Sequence, residues 1–449
     1  MARTTRVLIA DNSLAALNEM APQLRAGGCL ALIEMSAARI RERARVDRPD
    51  VAILGPGFPP DELAAAAEEL RLDPVTHRIP LLLAGRNIHA ADIGEALQGR
   101  IDGLLELPIL LDELHAKLAA AARLKVMRAE LLRRKVTYGR YGIDGFAALA
   151  LPKKQRGLRV LLVRPDDLDG AEAATPKNLS AALDKAETIE VSHAIGALLE
   201  GHHDAVVIVG TAAGDATLEL CADIRRHSSL FDLPIVYLEP DAGDGSRARA
   251  FIHGASDVIV APFEPASIRR SLDLSMRQAM MREGLRAAYQ GDAHPETNDP
   301  NTGLFSLEFL HKHLDLLIED ASRWTLSLSV ITCIVPGLVA VRHDMGRRAG
   351  AALQRTLADL ISRLIRGEDL CACLGDHSFC IVTPENPLQA TASIMDRLRG
   401  VIGHTEFSVL EVACPIKLHA ELGCAEFRPG DTVESLLARA QDMALRVAA

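Results

Sequence analysis

A strand-and-helix alternation laid down twice constrains this chain more than any other feature. Short apolar runs at 7–10, 51–54, 80–84 and 103–105 are separated by amphipathic helical stretches, and the series returns at 160–163, 205–209, 234–238 and 258–260. Such alternation is the pattern of βα units around a mostly parallel sheet. In both copies the last strand runs into a proline-marked turn, Leu107-Pro108-Ile109 and Ala261-Pro262-Phe263. The repetition predicts an α/β chain with two similar doubly wound domains, over 1–130 and 157–285.

Each copy closes with a long helix, at 110–135 and 264–290, and the polar stretch 291–300 reads as a boundary loop. The last third of the chain has a different pattern. A strand at 326–334, a helix around 347–364, hairpin strands at 370–374 and 379–383, a helix at 387–401 and strands near 416–427 predict an α+β domain over 296–449. Gly375-Asp376 between two apolar runs predicts a type II′ turn.

At 449 residues the chain is too long for one core. A net charge of −10 with 3% aromatic residues argues against a nucleic-acid partner, which would want basic patches and stacking platforms. No apolar run reaches the roughly 18 residues that span a bilayer, so no membrane insertion is expected. The first residues lead straight into a strand without an evident signal peptide, which points to the cytoplasm. Of the eight cysteines six crowd into the last third, and no Cys-x-x-Cys pair accompanies Cys371-Ala-Cys373. Buried free thiols are expected rather than a metal or disulfide site. His202-His203 and His311-Lys-His313 lack partners at metal spacing, and Met276, Met280 and Met281 read as helix packing.

Just before the hairpin stands Arg366-Gly-Glu-Asp369. An arginine presents two parallel donors to the O6/N7 edge of guanine, and a neighbouring carboxylate can accept from the base's own N–H groups. So short a motif is weak alone, and an internal salt bridge at a turn is the plainer reading.

The two repeats, a long helix, Asp299-Pro-Asn-Thr-Gly-Leu304, then Arg-x-x-Asp and a Gly-Asp hairpin, together resemble the PleD group of diguanylate cyclases over essentially the whole chain. The degenerate hairpin is similar to that of the group's non-catalytic paralogues. The resemblance implies two receiver-like domains followed by a GGDEF domain.

In that frame the cyclase signature becomes Gly375-Asp376-His377-Ser378-Phe379, with His377 and Ser378 in place of acidic residues. By spacing, Ile334 stands at the family's metal-binding aspartate, and Arg342 and Ala351 stand at its guanine-selecting positions. A hard cation needs oxygen ligands that isoleucine and alanine do not supply, so no metal and no cyclase activity are expected. The receiver-like repeats are stripped in the same way. Gly55 and Gly210 stand at the phosphoacceptor positions, and neither offers a nucleophile. The acidic cluster is reduced to Asp11-Asn12 in the first repeat and replaced by Arg164-Pro165 in the second, and Leu107 and Ala261 stand where a lysine is expected.

The family's inhibitory product site is matched by Arg366 and Asp369, with Arg397 in the next helix as its second arginine. An arginine of the second receiver completes that site in the family, and Arg225, with Arg226 close behind, is the candidate here. For Arg397 and Arg225 the plainer reading is a solvated helix face. The implied function is a non-enzymatic cyclic di-GMP effector and homodimer. It would have no cofactor and would recruit protein partners, by resemblance other adaptors and ClpXP substrates in cell-cycle proteolysis, at a cell pole. A residual diguanylate cyclase and a ligand-independent dimeric scaffold are the alternatives.

Overall fold

The computed structural model describes residues 5–86, 97, 99–108, 110–143, 159–166, 185–211, 215–227, 229–231, 233–240, 244–261, 263–290, 296–408 and 415–448. Ile109, Pro262, Cys414, the linker around Arg156 and residues 291–295 of the polar stretch after Gln290 lie outside them. The chain divides into two compact units, 1–125 with 153–280, and 126–152 with 281–449.

The first unit holds two five-stranded sheets whose neighbouring strands are all parallel. The first contains β1 (Arg6–Ala10), β2 (Leu30–Glu34), β3 (Val51–Leu54), β4 (Leu81–Gly85) and β5 (Gly103–Glu106), in the order β2-β1-β3-β4-β5. The second contains β6 (Arg159–Arg164), β7 (Lys185–Glu190), β8 (Ala205–Val209), β9 (Ile235–Glu239) and β10 (Asp257–Val260), in the order β7-β6-β8-β9-β10. Renumbered within each copy, both orders read 2-1-3-4-5, a doubly wound topology. The central strands are continuous apolar runs, such as Ala205–Val209, because helices cover both faces of a parallel sheet.

The second unit carries a four-stranded antiparallel sheet: β11 (Leu328–Ile334), β12 (Leu370–Gly375), β13 (Ser378–Pro384) and β16 (Glu421–Glu426), in the order β12-β13-β11-β16. A short pair, β14 (Glu406–Phe407) and β15 (Ile416–Lys417), stands apart. One face packs Leu353, Leu357 and Ile361 of the helix Gly346–Leu364 and Ile394 and Leu398 of the helix Leu388–His404. The other packs Phe309, Leu310 and Leu314 of the helix Leu307–Trp324 and Leu436 and Ala440 of the helix Val433–Ala448.

The hairpin differs from its expected turn. Gly375 pairs with Ser378, so the loop is Asp376-His377, and none of these residues has a positive φ. A type II′ turn needs one. The register instead shifts between Cys373 and Gly375, and such an irregularity adds local twist of the hand the hairpin needs.

Candidate functional site

The turn that begins at Arg366 follows the helix Gly346–Leu364 and enters β12. Asp369 is buried, and its Oδ2 accepts from the backbone N–H of Arg366 at 2.9 Å, while its own N–H donates to the Arg366 carbonyl at 3.1 Å. The carboxylate therefore folds the turn through the main chain of Arg366. The Arg366 side chain is exposed and makes no hydrogen bond or ion pair among the described residues. Arg397, on the helix Leu388–His404, donates from Nε to the carbonyl of Leu364 at 2.9 Å, capping the helix that precedes the turn. Burial lowers its pKa, the positive Arg366 lowers it further, and Asp369 works the other way. The two guanidinium groups feel one another beside a turn whose carboxylates, Glu368 and Asp369, are both buried, and the exposed Arg366 is the group presented to an anion.

On the hairpin side an open cleft of about 820 Å³ is lined by residues including Asn298, Asn301, Arg342, Ala351, Gln354 and Asp376. Arg342 ion-pairs with Asp376 at the hairpin tip. Gln354, buried on the helix, donates to the Gly375 carbonyl at 2.9 Å, and Asn301 donates to Gln354 Oε1 at 2.9 Å and to the Ala351 carbonyl at 3.2 Å. Asn301 is presented by a turn in which Asp299 Oδ1 accepts from the Thr302 N–H and hydroxyl. Gln354 escaped the sequence reading and Asn301 entered it only as part of the segment 299–304, since uncharged amides carry no signal until neighbouring elements bring them together.

Ile334 closes β11 opposite Ser378, at 7% exposure, and is not among the residues lining the cleft. Alternation along the strand instead puts Cys333 and Val335 in the core beneath the helix Gly346–Leu364. The Cys333 thiol, pushed up to about 12 by burial, is neutral at ordinary pH. His377 contributes its backbone, its carbonyl accepting from the Val335 N–H at 2.9 Å.

Residues 296–448 match the family described as "Diguanylate cyclase, GGDEF domain". This segment is a GGDEF domain. The chain as a whole is homologous to the response regulator PleD of Caulobacter vibrioides, at 23% identity over 446 residues, 98% of this chain and 96% of the relative. Similar solved structures include the GGDEF domain of DgcB from Caulobacter crescentus in complex with c-di-GMP. It is 18% identical and covers 34% of this chain and 87% of that one, with a TM-score of 0.33. Another is diguanylate cyclase SiaD in complex with its activator SiaC from Pseudomonas aeruginosa, at 23% identity over 40% of this chain and 68% of that one, with a TM-score of 0.33.

Outside the GGDEF domain, Arg225 lies at the end of the helix Asp215–Arg226, and its guanidinium is engaged within its own domain. Nε donates to the Gly254 carbonyl at 2.8 Å, Nη1 to those of Phe231 at 3.1 Å and Leu233 at 2.6 Å, and Nη2 to Ser256 Oγ at 2.9 Å. Expected as a ligand-binding side chain, Arg225 here fastens the loops that lead into β9 and β10. Its neighbour Arg226 is the exposed member and pairs with Asp223.

The space beside Gly55 is filled. Asp11, fully buried, accepts the Ser13 N–H at Oδ1 and the Gly57 N–H at Oδ2, and its carboxylate lies where a Cβ on Gly55 would stand. In the second copy a Cβ on Gly210 would come within 2.6 Å of the Tyr237 hydroxyl. That hydroxyl is hydrogen-bonded to Thr217 Oγ1 at 2.8 Å, and burial pushes it up to about 12. The pairings Ala10 with Leu54 and Val163 with Ile208 make Val209 the counterpart of Gly55, with Gly210 one residue further on. Valine is as little a nucleophile as glycine.

No helix among the described residues is long and apolar enough to cross a membrane.

Proposed function

We propose that this chain binds cyclic di-GMP without making it, and that the bound dinucleotide controls its association with other proteins. The observation that carries the reading is the unpaired Arg366 guanidinium beside Arg397 and the buried Asp369. Two positive groups would offset the two phosphate charges of the ligand and offer planar surfaces to its guanines.

The cleft side does not fit the metal-bound triphosphate of a cyclase. Cys333, Ile334 and Val335 bring no oxygen-bearing side chain to the end of β11, and Asp376 is held by Arg342. A divalent cation takes carboxylates and carbonyls, and phosphoryl transfer depends on that cation to neutralise developing charge. We therefore read the GGDEF domain as a degenerate cyclase that keeps a product-sensing site, and the two parallel-sheet domains as receiver-like platforms that no longer accept phosphate. On resemblance the chain is similar to PopA, a non-catalytic paralogue of PleD. The expected role is that of a dimeric adaptor in regulated ClpXP proteolysis during the cell cycle.

Calorimetry with cyclic di-GMP on the wild type and on Arg366→Ala tests the reading. Heat in the first and none in the second is expected. Equal heats, or none from either, favour a ligand-independent scaffold. Measurable turnover of GTP with Mg²⁺ would instead favour a residual cyclase.

A further inference from the structure

Arg134, on the helix Leu111–Gly139, is fully buried within the second unit. Its Nη2 donates to the carbonyls of Gly367, at 3.2 Å, and Asp369, at 3.0 Å, both inside the Arg-x-x-Asp turn. Its Nη1 donates to the Leu285 carbonyl at 2.8 Å, and its face lies 5.6 Å from the Phe305 ring centre. A guanidinium aimed at main-chain carbonyls fixes the backbone without engaging the exposed Arg366 side chain.

The charge is held from behind. Glu130, one helical turn earlier and also fully buried, accepts Arg134 Nε at 2.9 Å and lies 2.9 Å from His313 Nε2, while His313 Nδ1 lies 2.9 Å from Thr137 Oγ1. Burying so many charged groups is costly unless each is paired, and an arrangement of this kind tolerates little displacement. The turn is thereby tied to the part of the helix that belongs to its own unit, residues 126–139.

We propose that Arg134 is the positioning residue of the Arg-x-x-Asp turn. It holds the main chain from Gly367 to Asp369 in the form that binds a guanine dinucleotide, and so couples occupancy of the site to the order of residues 126–139 of its helix. The ligand part of this inference rests on the cyclic di-GMP reading of Arg366 and Asp369, whereas the ordering of the turn does not.

Amide hydrogen exchange and cyclic di-GMP calorimetry on the full chain carrying Arg134→Lys test it. Leu357→Ala, a truncation elsewhere in the domain core, is the control for lost stability. Lysine keeps the charge facing Glu130 but cannot fork across several carbonyls. Exchange at residues 366–370 is expected to quicken at least about ten-fold in Arg134→Lys and not in Leu357→Ala, with affinity about ten-fold weaker in the first and within about two-fold of wild type in the second. Cyclic di-GMP is also expected to slow exchange across 126–139 in the wild type and not in Arg134→Lys. Wild-type exchange at the turn in Arg134→Lys, or an equal loss of affinity in both variants, overturns the proposal. A turn that loosens as expected while the wild type gives no heat with cyclic di-GMP upholds the positioning role and overturns the ligand reading. If Arg134→Lys does not fold, Glu130→Gln, which keeps an acceptor but removes the charge, is expected to quicken turn exchange about three-fold, and an unchanged turn there overturns the proposal.

Discussion

Arg71 and Arg225 do the same work at the same place in two domains. Arg71 donates to the carbonyls six, eight and twenty-nine residues ahead of it, His77, Ile79 and Arg100, and to the side chain of Asp102. Arg225 donates to the carbonyls of Phe231, Leu233 and Gly254 at those same separations, and to the side chain of Ser256. A role written twice at fixed spacing belongs to the architecture. Arg71→Ala and Arg225→Ala should each lower stability by about 2–3 kcal/mol, because several buried carbonyls lose their donor at once. Urea unfolding followed by hydrogen exchange within each sheet checks this, and a loss below about 1 kcal/mol in either would contradict it.

Arg397 divides its effort between capping and charge. Arg397→Ala should cost about 1 kcal/mol of stability through the lost bond to Leu364, and weaken cyclic di-GMP binding about ten-fold. Arg397→Gln, which keeps an N–H donor, should regain part of the stability and little of the affinity. Recovery of wild-type affinity by glutamine would show that charge at this position is irrelevant.

Introducing a carboxylate at Gly55 should not permit phosphorylation. The new side chain would meet the Asp11 carboxylate, two like charges in a buried space. Gly55→Asp should therefore be less stable than wild type and stay unlabelled by acetyl phosphate with Mg²⁺. Stoichiometric labelling would show that Asp11 yields easily.

Glu130 makes the second unit acid-sensitive. Burial alone would raise its pKa, but His313 and Arg134 outweigh that and hold it well below the usual carboxylate range. A depressed folded-state pKa contributes stability that is fully present above the ordinary value of 4.5 and is lost as pH falls below it. The urea midpoint of this unit should drop steeply below pH 4.5, and Glu130→Gln, though less stable at neutral pH, should drop less. Parallel pH profiles for the two proteins would assign the acid loss to other carboxylates.

How plainly an element can be read from the sequence depends on where it sits. The central strands, such as 51–54 and 205–209, were legible because burial on both faces demands unbroken apolar runs. β7, Lys-Ala-Glu-Thr-Ile-Glu, was not, because as an edge strand its exposed side can be polar and its run is broken. In the candidate site, Arg366 and Asp369 were legible as a short motif, and Arg397 only through the family resemblance. Arg134 lies more than two hundred residues before the turn it holds, and only the packed helix brings the two together. The bonds of Arg225 were not legible either, because a structural arginine and a ligand-binding one look alike until their partners are known.

The Tyr237 ring beside Gly210 has a steric consequence. A side chain added at Gly210 would collide with a phenol anchored to Thr217, so the position admits a larger residue only if Tyr237 or Thr217 changes with it.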